Sequence, residues 1–200
     1  MAEVVMFHSV LGLRPGVLGA AERLRTAGHT VHTPDLFGGE VFDNLDDGMS
    51  KEEAIGFREM VRRSEEAVAG LPAELVFAGF SMGVVYAERL SASRPGALGA
   101  VLMHGAVPVE ALTEDFGVER WSEGVPVQVH YAADDPWVEA EQEVAPLGDA
   151  VREAGAAFEE YVYPGSGHLF ADPDFTEYDR ASSEAMWERV IAFLDRLDAR

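Results

Sequence analysis

The chain has 200 residues, of which 36 are acidic, 15 are Lys or Arg and none is cysteine; 48% are hydrophobic and the formal net charge is −21 at pH 7. This composition suits a single domain, residues 1–200, with a large core, and it excludes disulfides, thiolate metal ligands and a cysteine nucleophile. The negative charge disfavours nucleic acid and anionic membrane surfaces as partners, because it repels phosphate groups.

The first residues, MAEVVMFHSV, have no basic n-region, and their apolar run is too short for a signal peptide. No stretch approaches the roughly 20 apolar residues that a membrane-spanning helix needs. We therefore expect a soluble, cytoplasmic protein without a membrane partner, and the lack of cysteine fits a reducing compartment. The sequence leaves open whether the protein is a monomer or a homodimer.

Short apolar runs along the chain are typical of β-strands. The middle runs are apolar nearly throughout, as in strands covered on both faces, whereas the last alternates partly, as in an edge strand. The predicted strands are 4–8, 30–34, 74–80, 99–105, 125–133 and 158–164.

Amphipathic segments between these strands predict helices. The predicted helices are 16–28, 49–70, 83–93, 138–154 and a C-terminal helix with Met186, Val190, Phe193 and Leu197 on one face. The first helix is predicted to begin after Pro15 and to end at Gly28, and Ser50 is the expected N-cap of the second. The apolar stripe of the second helix is predicted to comprise Ala54, Phe57, Val61 and Val68.

Strand and helix alternate through the whole chain. This order predicts an α/β fold with a doubly wound, mainly parallel sheet of about six or seven strands and helices on both faces. The longest irregular segments are expected at 37–48, 107–124 and 170–180. In such a sheet the functional residues follow the carboxyl ends of the strands.

The pentapeptide GFSMG at 79–83 matches G-x-S-x-G and joins a predicted strand to a predicted helix, as a nucleophile elbow requires. The turn exposes the Ser81 hydroxyl, and the helix N-terminus favours a developing oxyanion. The pattern alone is weak, since a serine that merely caps the helix would also fit it. Ser81 is the candidate nucleophile, and it needs a base and an acid.

His168 is the candidate base. An elbow of this kind places serine, acid and histidine in that order along the chain, which rules out the three histidines before Ser81. His104 and His130 fall in or at the ends of strands, where a core or hydrogen-bonded role is commoner. His168 follows the last strand within YPGSGHLF, a loop of small residues.

The acid is expected after the strand VPVQVHYAA, where Asp134 and Asp135 precede Pro136. Only one of the two carboxylates can face the histidine, holding its tautomer and stabilising the imidazolium. The other would stabilise the turn. The local sequence leaves this choice open.

With these residues in place, the chain resembles the dienelactone hydrolase family of the α/β-hydrolase fold over almost its whole length. The segments that carry the resemblance are VVMFHSVLGLRPGV, AGHTVHTPDLFGGE, GFSMGV, DDPWV and YPGSGHLFAD. The resemblance implies Asp135 as the acid, His168 as the base, and the backbone amides of Val10 and Met82 as the oxyanion hole. We expect no cofactor and no metal, and no insertion is long enough for a separate lid domain.

Three positions depart from the best-known members of that family. Those members use a cysteine nucleophile, which is Ser81 here, and a glutamate in the first loop, which is Ser9 here. They also bind a substrate carboxylate with arginines, one of which corresponds to Asp172. A carboxylate cannot receive another carboxylate, so we expect a small neutral ester, lactone or thioester as substrate.

The expected reaction is hydrolysis through an acyl-enzyme. A transacylase or perhydrolase would use the same residues, and a catalytically idle binding protein is the alternative from another class. A nucleotide or flavin binder has no support, because GLRPGVLG lacks phosphate-binding spacing. The aromatic residues that are expected either to line the pocket or to pack in the core are Phe37, Phe42, Phe116, Trp121 and Trp137.

Overall fold

The protein is described by a computed structural model that covers residues 1–198, apart from the side chain of Asp115. Six strands form one sheet in the order β2-β1-β3-β4-β5-β6, and every neighbouring pair is parallel. The strands are β1 (Glu3–Phe7), β2 (Thr30–His32), β3 (Leu75–Phe80), β4 (Ala97–Met103), β5 (Val127–Ala132) and β6 (Phe158–Tyr163). The predicted fold class is confirmed, and β6 lies at an edge as expected.

Helices cover both faces of the sheet. They are α1 (Pro15–Thr26), α2 (Leu45–Ile55), α3 (Phe57–Val68), α4 (Gly83–Ser93), α5 (Val109–Phe116), α6 (Val144–Glu153) and α7 (Arg180–Asp198). The helices α1 and α7 pack on one face, while α3 to α6 pack on the other. Along β3, Phe77 joins the core on one face and its neighbours Val76 and Ala78 join the core on the other. This double coverage explains why the middle strands are apolar at every position.

The prediction of one helix over 49–70 was wrong. Gly56 has a φ of 84°, which separates α2 from α3. The N-cap of α2 is Asn44, whose side chain accepts the N–H of Asp47 at 2.9 Å, and Ser50 lies inside the helix. Because α3 starts anew, Phe57 is 42% exposed. The buried residues of α3 are Met60, Ser64 and Val68.

Two other boundaries also differ from the prediction. The segment 107–124, expected to be irregular, contains α5, whose C-cap is Gly117 with φ 69°. The helix expected over 138–154 begins only at Val144, because turns occupy the residues after Asp135. Leu112 of α5 is buried in the core, and this tertiary contact is not visible in the local sequence. Within residues 1–198, no helix is long and apolar enough to cross a membrane.

Candidate active site

Ser81 forms the turn between β3 and α4. Its φ is 49°, a left-handed conformation that costs a non-glycine residue about 1–3 kcal/mol unless the surroundings hold it. The Ser81 N–H donates to Met103 O at 2.8 Å, and the Ser81 carbonyl accepts the Val84 N–H at 2.8 Å. One bond ties the turn to β4 and the other starts α4, so the strained serine is held from both sides.

The two glycines of GFSMG permit a close approach of three elements. A Cβ on Gly83 would lie 2.6 Å from the carbonyl oxygen of Phe7, at the end of β1. A Cβ on Gly79 would lie 2.6 Å from the backbone nitrogen of Val84 in α4. Real Cβ atoms do not come this close to backbone atoms, so the elbow requires glycine at both positions.

His168 reaches Ser81 from the loop after β6. Ser81 Oγ and His168 Nε2 are 2.7 Å apart, and the imidazole is buried. The neighbouring residue fixes this loop, because the Leu169 N–H donates to Glu177 Oε2 at 3.0 Å. The structure therefore brings together the serine and the histidine that are 87 residues apart in sequence.

Asp135 is the carboxylate that faces His168. Its Oδ2 lies 2.8 Å and its Oδ1 3.1 Å from His168 Nδ1, and Oδ1 also accepts the Trp137 N–H at 2.9 Å. Asp134 is exposed, and its N–H donates to Gly165 O at 2.9 Å. Because the carboxylate accepts from Nδ1–H, Nε2 is left to accept the Ser81 hydroxyl. The alternative that the sequence left open is thus decided in favour of Asp135 as the contact of His168.

Val10 and Met82 are the residues whose backbone amides the resemblance assigns to an oxyanion hole. Both side chains are buried, Met82 directly after Ser81 and Val10 in the loop after β1. The bonds that the described residues make use neither backbone N–H, so both are free to receive an oxyanion. An oxyanion hole needs amides aimed at the charge that develops in the transition state, so this assignment stays a prediction.

His8 holds the loop that contains Val10. Its Nδ1 donates to Ser9 O at 2.7 Å, and its Nε2 accepts the Leu36 N–H at 3.0 Å. An imidazole with one donor and one acceptor role is neutral, and burial lowers the pKa of His8 below its ordinary value. Sequence reasoning missed this residue, although a histidine at the end of the first predicted strand was a usable signal.

His104 lies beneath His168 and was also missed as part of this site. It is fully buried, has a φ of 68°, and its ring centroid is 6.2 Å from that of His168. It packs against Phe80 and Phe170, and neither ring nitrogen has a hydrogen-bond partner among the described residues. Burial lowers the pKa of His104 well below its ordinary value, so a neutral imidazole packs beside His168.

Asp172 and Arg14 lie together at the start of α1. Asp172 Oδ2 is 3.7 Å from Arg14 Nε, and a Cβ on Gly16 would lie 2.7 Å from Asp172 Cγ. The Arg14 guanidinium donates to Phe42 O at 2.6 Å and to Asp174 O at 2.7 Å. Arg14 is buried, and its guanidinium links the loops that contain Phe42 and Asp174 and does not face solvent.

The aromatic candidates separate into core and surface residues. Phe37 and Trp121 are buried in the core, and Phe116 packs against Phe57 with ring centroids 5.0 Å apart. Phe42 is half-buried against Phe37. Trp137 is 50% exposed, and its ring centroid is 6.1 Å from that of His168.

The part of the chain that the structure describes contains no group of three or more His, Cys, Asp or Glu side chains that could hold a metal ion. His130 forms hydrogen bonds through both of its ring nitrogens. Its Nδ1 contacts Tyr163 OH at 2.9 Å and its Nε2 contacts Gln128 Oε1 at 2.8 Å. It is a core residue, as predicted.

The sequence also matches a known protein family. The model of the dienelactone hydrolase family matches residues 1–197. A "putative carboxymethylenebutenolidase" of Saccharolobus solfataricus is 29% identical over 126 residues, which are 62% of this chain and 45% of that protein. The chain thus matches less than half the length of this curated relative.

Several solved structures share the fold. A dienelactone hydrolase-like promiscuous phosphotriesterase, P91, from metagenomic libraries superposes with a TM-score of 0.77 at 22% identity, covering 98% of this chain and 87% of its own. A dienelactone hydrolase described as putative, from Klebsiella pneumoniae, gives 0.73 at 18% identity with the same coverage. A thermophilic esterase from Thermogutta terrifontis gives 0.67 at 16% identity, covering 98% and 83%.

Proposed function

Because the chain belongs to the dienelactone hydrolase family, whose members are hydrolases acting on ester bonds, we propose that it cleaves a small neutral ester, lactone or thioester with Ser81 as nucleophile. In this proposal His168 is the general base and acid, and Asp135 orients it. One observation carries the assignment. Ser81 Oγ, His168 Nε2 and Nδ1, and Asp135 Oδ2 form an unbroken chain of hydrogen bonds of 2.7 and 2.8 Å.

The first half of the reaction forms an acyl-enzyme. His168 Nε2 takes the Ser81 proton as Oγ attacks the substrate carbonyl carbon, and the carbonyl oxygen becomes an oxyanion between the amides of Val10 and Met82. The tetrahedral intermediate collapses when its bond to the leaving oxygen or sulfur breaks. His168 gives its proton to that leaving atom; the alcohol or thiol then departs, or, for a lactone, stays attached to the acyl group as a hydroxyl.

The second half regenerates the enzyme. A water molecule loses a proton to His168 Nε2 and attacks the acyl carbon, and the oxyanion forms again between the same amides. The bond to Ser81 Oγ breaks, the proton returns to Oγ, and the carboxylic acid leaves. The Asp135 carboxylate stabilises the imidazolium in both halves and does not itself take the proton.

Charge around Ser81 supports a neutral substrate. The candidate for receiving a substrate carboxylate would be Arg14, but its guanidinium is buried and donates to two loop carbonyls. Asp172 lies beside it with a side chain only 12% exposed, and a second carboxylate there would be repelled. The formal net charge of −21 for the whole chain further disfavours the binding of an anionic ester.

The test is a panel of p-nitrophenyl esters, lactones and thioesters, measured with the wild type and Ser81→Ala. We expect at least one class to be turned over, and Ser81→Ala to lower kcat by at least about 10⁴-fold with its fold intact. Ser93→Ala, which changes an exposed serine at the end of α4, is the matched control and should leave the rate unchanged. A folded Ser81→Ala protein with wild-type activity would refute the assignment.

Acyl transfer would use the same intermediate, with an alcohol or peroxide in place of water. The two activities are separated by product analysis in the presence of an added alcohol. Formation of the carboxylic acid alone indicates a hydrolase, whereas formation of the new ester at the expense of the acid indicates a transacylase.

A further inference from the structure

Trp137 is a large apolar side chain left half exposed directly beside the proposed general base. The described aromatic rings that neighbour His168 are those of His104 and Trp137, at centroid distances of 6.2 and 6.1 Å. His104 is fully buried, whereas Trp137 is 50% exposed. A substrate that approaches His168 from solvent therefore meets the indole and not the buried imidazole.

The backbone of Trp137 is fixed by the same carboxylate that contacts His168. The Trp137 N–H donates to Asp135 Oδ1 at 2.9 Å, and the Val138 N–H donates to the Asp135 carbonyl at 3.4 Å. Pro136 between them restricts the turn further. A ring on such a fixed backbone binds a partner with little loss of conformational entropy.

The chemistry of the proposed reaction decides which half of the substrate lies there. The acyl carbonyl must be at Ser81 Oγ, with its oxygen towards Val10 and Met82. The leaving oxygen must come within hydrogen-bond distance of His168 Nε2, roughly 2.6–3.2 Å, to take its proton. The group attached to that oxygen consequently extends over His168 and its exposed ring neighbour.

The charge of this side of the site excludes one class of leaving group. The segment 121–151, which contains Trp137, has seven acidic residues and no Lys or Arg. Glu139 and Glu143 follow Trp137 closely, and the Glu139 N–H donates to Glu143 Oε2 at 3.1 Å. An anionic alcohol is repelled here, whereas an uncharged planar group can pack on the indole.

We propose that Trp137 is the specificity-determining residue for the leaving group and that the preferred substrates are esters of uncharged aromatic alcohols. This inference rests on the proposed function, because it takes the position of the leaving atom from His168. Aromatic packing on an exposed indole should favour such an alcohol by about 3- to 10-fold over an alicyclic alcohol of similar size. The proposal places the leaving group and not the acyl group on Trp137, so acyl preference should be independent of this residue.

The test compares benzyl acetate with cyclohexylmethyl acetate, whose alcohols are similar in size and acidity. The wild type should show a higher kcat/KM for the benzyl ester, and Trp137→Ala should lower this ratio by about 3- to 10-fold. Trp137→Phe should restore most of the ratio. Phe57→Ala, which removes another exposed aromatic side chain from α3, is the matched control and should leave it unchanged.

Two further measurements separate the possible failures. The ratio of ethyl acetate to ethyl butyrate hydrolysis reports acyl preference and should be the same in wild type and Trp137→Ala. An equal loss on every ester, a change in acyl preference, or an unchanged benzyl ratio would each overturn the role of Trp137. Activity retained in Ser81→Ala would instead overturn the proposed function, and the inference with it.

Discussion

Asp135 holds both of its carboxylate oxygens towards His168, with Oδ2 at 2.8 Å and Oδ1 at 3.1 Å from Nδ1. Its neighbour Asp134 is exposed and makes its hydrogen bond through the backbone N–H to Gly165. Of these two adjacent aspartates, only Asp135 directs its carboxylate at His168. The pair offers a matched test of the assigned acid.

Asp135→Asn should lower kcat by about 10⁴-fold, because an amide leaves the imidazole in the wrong tautomer and does not stabilise the imidazolium. Asp134→Asn should leave kcat close to that of the wild type. The measurement is kcat on the best ester of the panel, with thermal unfolding to show that both variants fold. A greater loss in Asp134→Asn than in Asp135→Asn would contradict the assignment of Asp135.

Gly83→Ala should destabilise the protein and impair the elbow. The added Cβ would lie 2.6 Å from Phe7 O and 2.8 Å from His8 O, so backbone atoms would have to move. We expect a loss of about 1–3 kcal/mol in the free energy of unfolding, as for other overpacked sites. The quantity is measured by urea unfolding.

Gly19→Ala is the control for that substitution. Gly19 lies in α1, and a Cβ there would have no heavy atom within 4 Å. Alanine should stabilise the helix by up to about 1 kcal/mol through its higher propensity. If Gly83→Ala were as stable as Gly19→Ala, close approach could not be the reason for the second glycine of the elbow.

The elbow could be predicted from sequence because its requirements are local. A buried strand, a serine flanked by glycines and a helix follow one another within the residues of β3 and α4, and the order of serine, acid and histidine limits the choice of partners. The same order in the chain predicted His168. Parallel β-strands bring their carboxyl ends to one edge, which is why residues far apart in sequence meet there.

Other features depend on tertiary contacts that no local pattern encodes. Gly56 within AIGFREM would cost an uninterrupted helix only about 1 kcal/mol, so the sequence cannot show that its φ is 84°. The direction of Asp135 relative to Asp134 depends on where the loop after β6 lies. The packing of His104 against Phe170 likewise joins β4 to a loop some 66 residues later.

Protein stability should fall as the pH decreases below about 6.5, in part because of His130. Burial lowers its pKa from 6.5 to about 3, so between these values the unfolded chain binds a proton that the folded chain does not. The free energy of unfolding therefore decreases with falling pH, by about 1.4 kcal/mol per pH unit for this one group. Above the unfolded pKa the effect is absent.

A His130→Gln variant isolates this contribution. Other buried groups, among them His8 and Glu88, titrate equally in both proteins, so their effects cancel in the difference between the two curves. The variant should be less stable at neutral pH, because Tyr163 and Gln128 lose their bonds to the imidazole, but its stability should depend less steeply on pH. Parallel curves from urea unfolding at several pH values would contradict the low pKa of His130.

Covalent labelling can show whether Ser81 is an activated nucleophile. A fluorophosphonate reacts with a serine whose proton a neighbouring base removes, and mass spectrometry of the digested protein locates the adduct. We expect one adduct, on the peptide that contains Ser81, with none in Ser81→Ala and far slower labelling in His168→Ala. A folded wild type that stays unlabelled, or is labelled at another residue, would contradict it.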